Sequence, residues 1–309
     1  MKPFFLKRIK WLVAIILLFS LTGYLGTRHW TFELTSHFKV QYFALSVLCV
    51  LICLWLRQWG WASLSLLGLI INGIVVLPWY FPSVQNHIQN HSLSILLSNV
   101  NIKNKNYSAL VQLVAAENPD ILIVQEGNRH WIKHLKVLEK TLPYVEAPPN
   151  SYFFGTVIYS RFPFEETQML SLGRSGRESI LVKIKINHKM VSLLTTHPLP
   201  PIPEGLFEHR NSQLFEVQSF IKQLPTPKML IGDLNISMWS PFYSQLTQET
   251  RLINARQGFG ILPTWPTFLP VLMIPIDHCL VSPDIKVMKI KTGESIGSDH
   301  LPLIVEVAI

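Results

Sequence analysis

The chain has 309 residues, of which 49% are hydrophobic and only 15% charged, with a formal net charge of +8 and a mean hydropathy of +0.28. That composition excludes a disordered chain and argues against a purely solvent-borne one. The charge is uneven: through Tyr80 there are seven basic residues against the single acid Glu33, a net +6, and the remainder has 20 basic and 18 acidic residues, a net +2. The basic excess therefore sits in the apolar part and does not mark a nucleic-acid surface. Three cysteines, Cys49, Cys53 and Cys279, exclude a disulfide framework.

In chain order, the first elements are apolar runs at 11–25, 40–56 and 61–81. A helix crossing the hydrocarbon core needs about 20 apolar residues, with about 17 as the lower limit. The second run just meets that and the third meets it with room. The first meets it if Lys10 and Arg28 snorkel at its ends. Aromatic residues gather at the run ends, among them Trp11, Trp30, Trp55, Trp61 and Trp79, as an interfacial belt requires. Residues 1–81 are thus predicted to be a membrane anchor of three transmembrane helices, at about 9–27, 40–56 and 60–81. Asn72 is the one strongly polar side chain in the apolar centres of these runs, so anchoring, not transport, is the expected role. Lys2, Lys7, Arg8 and Lys10 place the N-terminus in the cytoplasm by the positive-inside rule. Three crossings then put the rest of the chain on the extracytoplasmic, periplasmic side of a bacterial inner membrane. A first run cleaved as a signal peptide would leave the same sidedness.

Residues 82–92 are polar, uncharged and aperiodic, which suits a linker. From 93 to 309, β-like runs at 93–100, 121–125, 156–159, 180–186, 190–196, 229–231, 276–281 and 303–307 alternate with helical patterns at 108–117, 129–142 and 206–224. This rhythm predicts one α/β domain, sheet inside and helices outside. Four of the runs end on polar or ionisable side chains: at Ser98-Asn99, at Gln125-Glu126, at His197 and at Asp233-Leu234-Asn235. If those strand ends share one rim, they assemble an active site.

The motifs Ser98-Asn99-Val100, Pro119-Asp120 through Gln125-Glu126, Thr195-Thr196-His197-Pro198, Gly232-Asp233-Leu234-Asn235, Ile276-Asp277-His278 and Gly297-Ser298-Asp299-His300 follow in this order. Together they resemble the endonuclease/exonuclease/phosphatase superfamily from about residue 93 to 309. The apolar N-terminus is similar to that of a membrane-anchored bacterial subgroup. The resemblance implies a DNase-like fold, a four-layer α/β/β/α sandwich with the site where strand-end loops of the two sheets meet. It also implies that Glu126, with Asn99 and Asp299, holds a metal. Hard oxygen ligands suit Mg²⁺, with Mn²⁺ as the alternative.

By the same resemblance His300 is the general base, oriented by Asp277. Asp233 and Asn235 position the attacking water and the phosphate, and His197 donates to a phosphoryl oxygen or the leaving group. Arg177 is a candidate phosphate contact, with Arg210 and Asn211 weaker ones. His278, His188, His87 and His91 fit no role and read as packing or surface residues.

The expected function is a membrane-anchored, divalent-metal-dependent phosphoesterase, whose partners are the lipid bilayer and a phosphate-ester substrate. That substrate is lipid-derived, a small molecule or nucleic acid. Two alternatives stand beside it: an extracytoplasmic nuclease acting on DNA or RNA, and a retired enzyme serving as a membrane-bound binding module. A domain charge of only +2 gives a nuclease little electrostatic support.

Overall fold

The structure, a computed structural model, describes residues 2–81, 92–148 and 155–309. The expected linker at 82–92 lies outside the described residues except for Ser92, which opens the first strand. Four helices come first: α1 (Lys2–Thr22), α2 (Trp30–Ser36), α3 (Lys39–Trp55) and α4 (Trp59–Val76), the last extended to Tyr80 by a 3-10 turn.

Among the described residues one helix, Trp59–Tyr80, is long and apolar enough to cross a bilayer. Helices α2 and α3 add a second span only if their 62° bend falls within it. This corrects the expectation of three spanning helices. Lys7, Arg8 and Lys10 lie inside α1 and leave only residues 11–22 uncharged, while α3 alone has 17 residues, the lower limit for a span. Part of the expected loop between the first two runs is helical, because His29 caps α2 by accepting the Thr31 N–H at 3.3 Å.

The remainder folds in the order β1 (Ser92–Asn99), α5 (Tyr107–Glu117), β2 (Ile121–Gly127), α6 (Arg129–Leu135), β3 (Tyr144–Glu146) and β4 (Gly155–Ser160). Next come β5 (Phe164–Leu170), β6 (Ser179–Ile186), β7 (Lys189–Thr195), α7 (Glu204–Gln223) and β8 (Lys228–Asp233). The chain closes with α8 (Pro241–Thr250), β9 (Ile253–Asn254), β10 (Asp277–Val281), β11 (Lys286–Thr292) and β12 (Leu303–Ala308). One sheet has the order β11-β12-β1-β2-β4-β3 and the other β5-β6-β7-β8-β10-β9.

Side chains alternate across a strand, so each sheet has two faces to bury. Ile95, Leu97 and Ile123 meet Val182, Leu193 and Ile231 between the sheets. Their neighbours Leu96, Leu122 and Val124 pack with Trp131 beneath α5 and α6. Leu194 and Leu230 pack with Val217 of α7 and Leu246 of α8. Both faces of each central strand are thus covered, which is the expected α/β/β/α layering. Burial of the large apolar side chains stabilises each by about 1.5–3 kcal/mol.

From residue 92 onward, five elements were not foreshadowed by the periodicity: β3, β5, β9, β11 and α8. Strands β3, β5, β9 and β11 are edges of the two sheets, where a strand needs no continuous apolar run. Helix α8 carries a start signal, Ser240 as N-cap accepting from Phe242 N–H at 3.2 Å and Pro241 as its first residue.

The helical segment is bolted to the domain. Val76 shares an apolar cluster with Ile236, Met238 and Tyr243. The Trp239 indole N–H donates to the Val75 carbonyl at 3.0 Å, and Gly258 and Gly260 N–H groups donate to the Trp79 carbonyl at 3.1 and 2.9 Å. Glu33 of α2 forms a fully buried ion pair with Arg210 of α7, Nη2 to Oε2 2.7 Å. The Ser240 hydroxyl donates to the other oxygen of Glu33 at 2.6 Å.

Candidate active site

Pairing register brings the motifs together. β1 and β2 run parallel with Asn99 opposite Gln125, and β8 and β10 run antiparallel with Asp233 opposite Asp277. The ends of β1, β2, β7 and β8, the start of β10 and the turn before β12 therefore share one rim. Gln125 joins the sheets there: its side-chain oxygen accepts the Asp233 N–H at 2.8 Å and its amide donates to the Thr196 carbonyl at 2.9 Å. Gly232 makes this approach possible. Its φ of +158° suits glycine, and a Cβ there would stand 2.0 Å from the Thr196 oxygen. Gly232→Ala is expected to lower stability by about 2–4 kcal/mol, read as a fall in Tm. An unchanged Tm would show that the two strand ends are not held this closely.

His300 donates Nδ1–H to Asp277 Oδ2 across 2.9 Å, both side chains being buried. The carboxylate can only accept, so it holds the proton on Nδ1 and turns Nε2 toward the site. Burial alone would lower the His300 pKa, but the charges of Asp277, Asp233 and Asp299 outweigh it and raise the pKa to about 10. The His300 N–H donates to Ser298 Oγ at 3.1 Å, and Ser298 donates to the Asn99 carbonyl at 2.7 Å. His278, the next residue on β10 after Asp277, faces the other way and pairs its Nε2 with the Ile236 carbonyl at 2.8 Å. It is buried, so of the packing and surface readings the first applies.

Asn99 bridges the carboxylates. Its Nδ2 donates to Glu126 Oε1 and to Asp233 Oδ2, each at 3.1 Å, while its oxygen accepts the Asn101 N–H at 3.1 Å. Its amide nitrogen, not its oxygen, therefore points into the cluster. Glu126 sits at φ +59°, on the irregular stretch of the β2–β4 pairing between Val124 and Gly127. A left-handed glutamate is strained, and here the strain turns a carboxylate out of the ladder into the cleft. Asn235 is also left-handed, at φ +51°. It is held by its N–H to Asp233 Oδ1 at 2.9 Å and its Nδ2 to the Pro198 carbonyl at 3.0 Å.

His197 Nε2 lies 3.5 Å from Asp233 Oδ2 and 3.7 Å from Glu126 Oε1. Arg177 Nη1 lies 3.1 Å from His197 Nδ1 and 3.2 Å from its Nε2. Burial would raise the Asp233 pKa, but His197, His300 and the Asn235 N–H outweigh it and hold the pKa down at about 2. Asp299 accepts from Asn101 Nδ2 at 2.7 Å and from the Trp265 indole at 3.1 Å.

All nine expected site residues therefore line one cleft, and the weaker candidates do not join it as phosphate contacts. Arg210 is buried against Glu33, and Asn211 Oδ1 accepts from Arg210 Nε at 2.8 Å. His188 lies in the β6–β7 turn, and His87 and His91 fall outside the described residues. Sequence reasoning gave no role to Asn101, and it placed Gln125 only at a strand end and Trp265 only in a loop that could shape a substrate pocket; each holds a site carboxylate or its strand in place.

The donors suit a hard divalent cation. Asp233, Asp277 and His300 offer ligand atoms within 4.8 Å of one another. A cation inside that trio would break the His300–Asp277 pairing, however, and the partly exposed, outward-turned Glu126 is the better first ligand. Four carboxylates against two imidazoles and one guanidinium leave negative charge that a cation would balance.

The model of the Endonuclease/Exonuclease/phosphatase family matches residues 96–300, and the chain belongs to that family, a class of phosphoester hydrolases. Solved structures agree on the fold. TDP2 of Danio rerio, complexed with a single-strand DNA product, is 18% identical and superposes with a TM-score of 0.59, covering 71% of this chain and 100% of that one. A family protein from Bacteroides thetaiotaomicron is 22% identical, with a TM-score of 0.56 over 71% and 98%. The human nocturnin catalytic domain with bound sulfate is 14% identical, with a TM-score of 0.57 over 70% and 94%. No curated protein sequence matches the chain.

Proposed function

We propose that the protein is a divalent-metal-dependent phosphoesterase held at a bilayer by its apolar helices, with the catalytic domain on the extracytoplasmic side. The observation that carries the chemistry is the His300–Asp277 pair, facing a cleft of Glu126, Asp233, Asn99, Asn235, His197 and Arg177.

His300 Nε2 takes a proton from water as the water oxygen bonds to phosphorus. The ester P–O bond breaks, and the departing oxygen is protonated by His197 or from solvent. Asp277 fixes the ring and stabilises the imidazolium, while Asp233, with Asn235, orients the water. Arg177 and His197 receive the phosphoryl oxygens. Glu126 would hold Mg²⁺ or Mn²⁺, with Asn99 and Asp299 beside it. The cation's charge would draw the His300 pKa back toward the range of a working base and offset the phosphoryl oxygens.

The membrane reading is supported by the apolar helix Trp59–Tyr80 and the α2–α3 pair. Sidedness is supported by charge. Lys10 Nζ lies 5.7 Å from the Trp61 ring, at the start of α4 and near the turn holding Arg57. The basic end is therefore remote from the end of α4 that meets the domain, in accord with the positive-inside rule.

The test is a substrate panel assayed with full-length protein in detergent and Mg²⁺: bis(p-nitrophenyl) phosphate, p-nitrophenyl phosphate and plasmid DNA. Turnover of an ester at the wild-type site, abolished by chelation, is expected. Metal-independent turnover, or none on any ester, contradicts the reading.

A further inference from the structure

The catalytic domain carries an apolar tip that its own core does not use. Phe268 and Val271 are each 74% exposed, and Leu269 and Leu272 beside them are exposed as well. Such a cluster on a folded domain marks a contact surface.

Its placement identifies the contact. Gln41, in the first turn of α3, donates to the carbonyls of Val271 at 3.3 Å and Met273 at 3.1 Å. Leu45 and Leu48 follow Gln41 at helical spacing on one face of α3, and both are exposed. The tip is thus seated on the apolar outer face of a helix, level with that helix's first turn. A second apolar point stands at the end of α4, where the neighbours of exposed Phe259 are tied to the Trp79 carbonyl. α3 begins and α4 ends at the domain, so both apolar points lie where the helices would leave the bilayer.

The segment that bears the tip also builds the site. Thr267 N–H donates to the Asp299 carbonyl at 2.9 Å, Thr267 Oγ1 to the Ser298 carbonyl at 2.9 Å, and Trp265 to the Asp299 carboxylate. On the opposite flank, Asn235 rests through its carbonyl on Arg210, and through Arg210 on Glu33 of α2. Both flanks of the cleft are therefore fixed to the apolar segment.

We infer that residues 267–272, with Phe259, seat in the same leaflet as the helix ends. They hold the cleft at the bilayer surface, so that the substrate is a phosphate ester carried on a membrane lipid. The inference rests on the phosphoesterase reading for its substrate, but not for its surface.

The test uses the full chain in phosphatidylcholine/phosphatidylglycerol vesicles. Cys49, Cys53 and Cys279 are buried, so Val271→Cys and, as a control on the outer layer beyond α6, Val137→Cys can each carry an environment-sensitive nitrobenzoxadiazole label. The label at 271 is expected to shift to the blue and to be quenched by doxyl-lipid but not by aqueous iodide, with the reverse at 137. Iodide quenching at 271 overturns the surface.

The second arm gives one leaving group in two forms: soluble bis(p-nitrophenyl) phosphate, and a diacylglycerol p-nitrophenyl phosphate in the same vesicles. The double variant Phe268→Ser/Val271→Ser is expected to cleave the lipid-borne ester about tenfold more slowly and the soluble ester at the wild-type rate. Equal rates on both overturn the substrate assignment. If the wild type cleaves neither ester, the phosphoesterase reading fails while the quenching result still decides the surface.

Discussion

Replacing His300 with alanine is expected to lower phosphoester turnover by about 10²–10⁴-fold with little change in KM, because a positioned base contributes about that much to the chemical step. The basis is geometric. Nδ1 is committed to Asp277 at 2.9 Å, so Nε2 is the nitrogen that faces the cleft, 3.7 Å from Asp233 Oδ2. Asp277→Asn should cost nearly as much while leaving the fold intact. An amide can turn its NH₂ toward Nδ1, which moves the ring proton to Nε2 and blocks the base. If His300→Ala retained wild-type turnover with a metal present, water would be activated elsewhere.

Glu33→Ala is expected to lower stability by about 3–5 kcal/mol, read as a large fall in Tm, because it strands the Arg210 guanidinium in a site closed to water. Arg210 also donates from Nη1 to the Asn235 carbonyl at 3.0 Å, so one buried pair links α2 to a residue of the cleft. The double variant Glu33→Met/Arg210→Met removes both charges and should recover most of the lost stability. It should not recover full turnover, since the Asn235 carbonyl still lacks its donor. A double variant as active as the wild type would show that Asn235 does not depend on this support. For the same reason residues 93–309 alone are expected to be poorly stable, with Arg210, Trp239 and the apolar cluster around Val76 deprived of their partners.

The motif residues were legible because each stands where an apolar run stops. Asn99, His197 and Asp233 end or follow strands whose alternation is visible in the sequence, and parallel pairing of β1 with β2 and β7 with β8 puts those ends on one rim. The pairing of His300 with Asp277 came only through family resemblance, since a separation of 23 positions fixes no distance. Backbone strain was out of reach. No residue pattern shows that Glu126 and Asn235 adopt left-handed φ, or that an irregular β2–β4 pairing turns Glu126 outward. In the sequence Glu33 stands out only as the single acid of a basic, apolar segment. Its role as the partner of Arg210 depends on a contact across 177 positions. The apolar runs overstated the membrane spans, because hydropathy alone does not register how far Lys7, Arg8 and Lys10 reach into α1.

The most direct measurement is release of p-nitrophenol from bis(p-nitrophenyl) phosphate by the full-length protein and by Glu126→Gln, each titrated with Mg²⁺ after chelation. A wild-type rate that rises from background with Mg²⁺ and saturates is predicted, with the variant flat or shifted to at least about a hundredfold more metal. A wild-type rate indifferent to Mg²⁺ and Mn²⁺, or a variant indistinguishable from it, would contradict a metal-dependent phosphoesterase centred on Glu126.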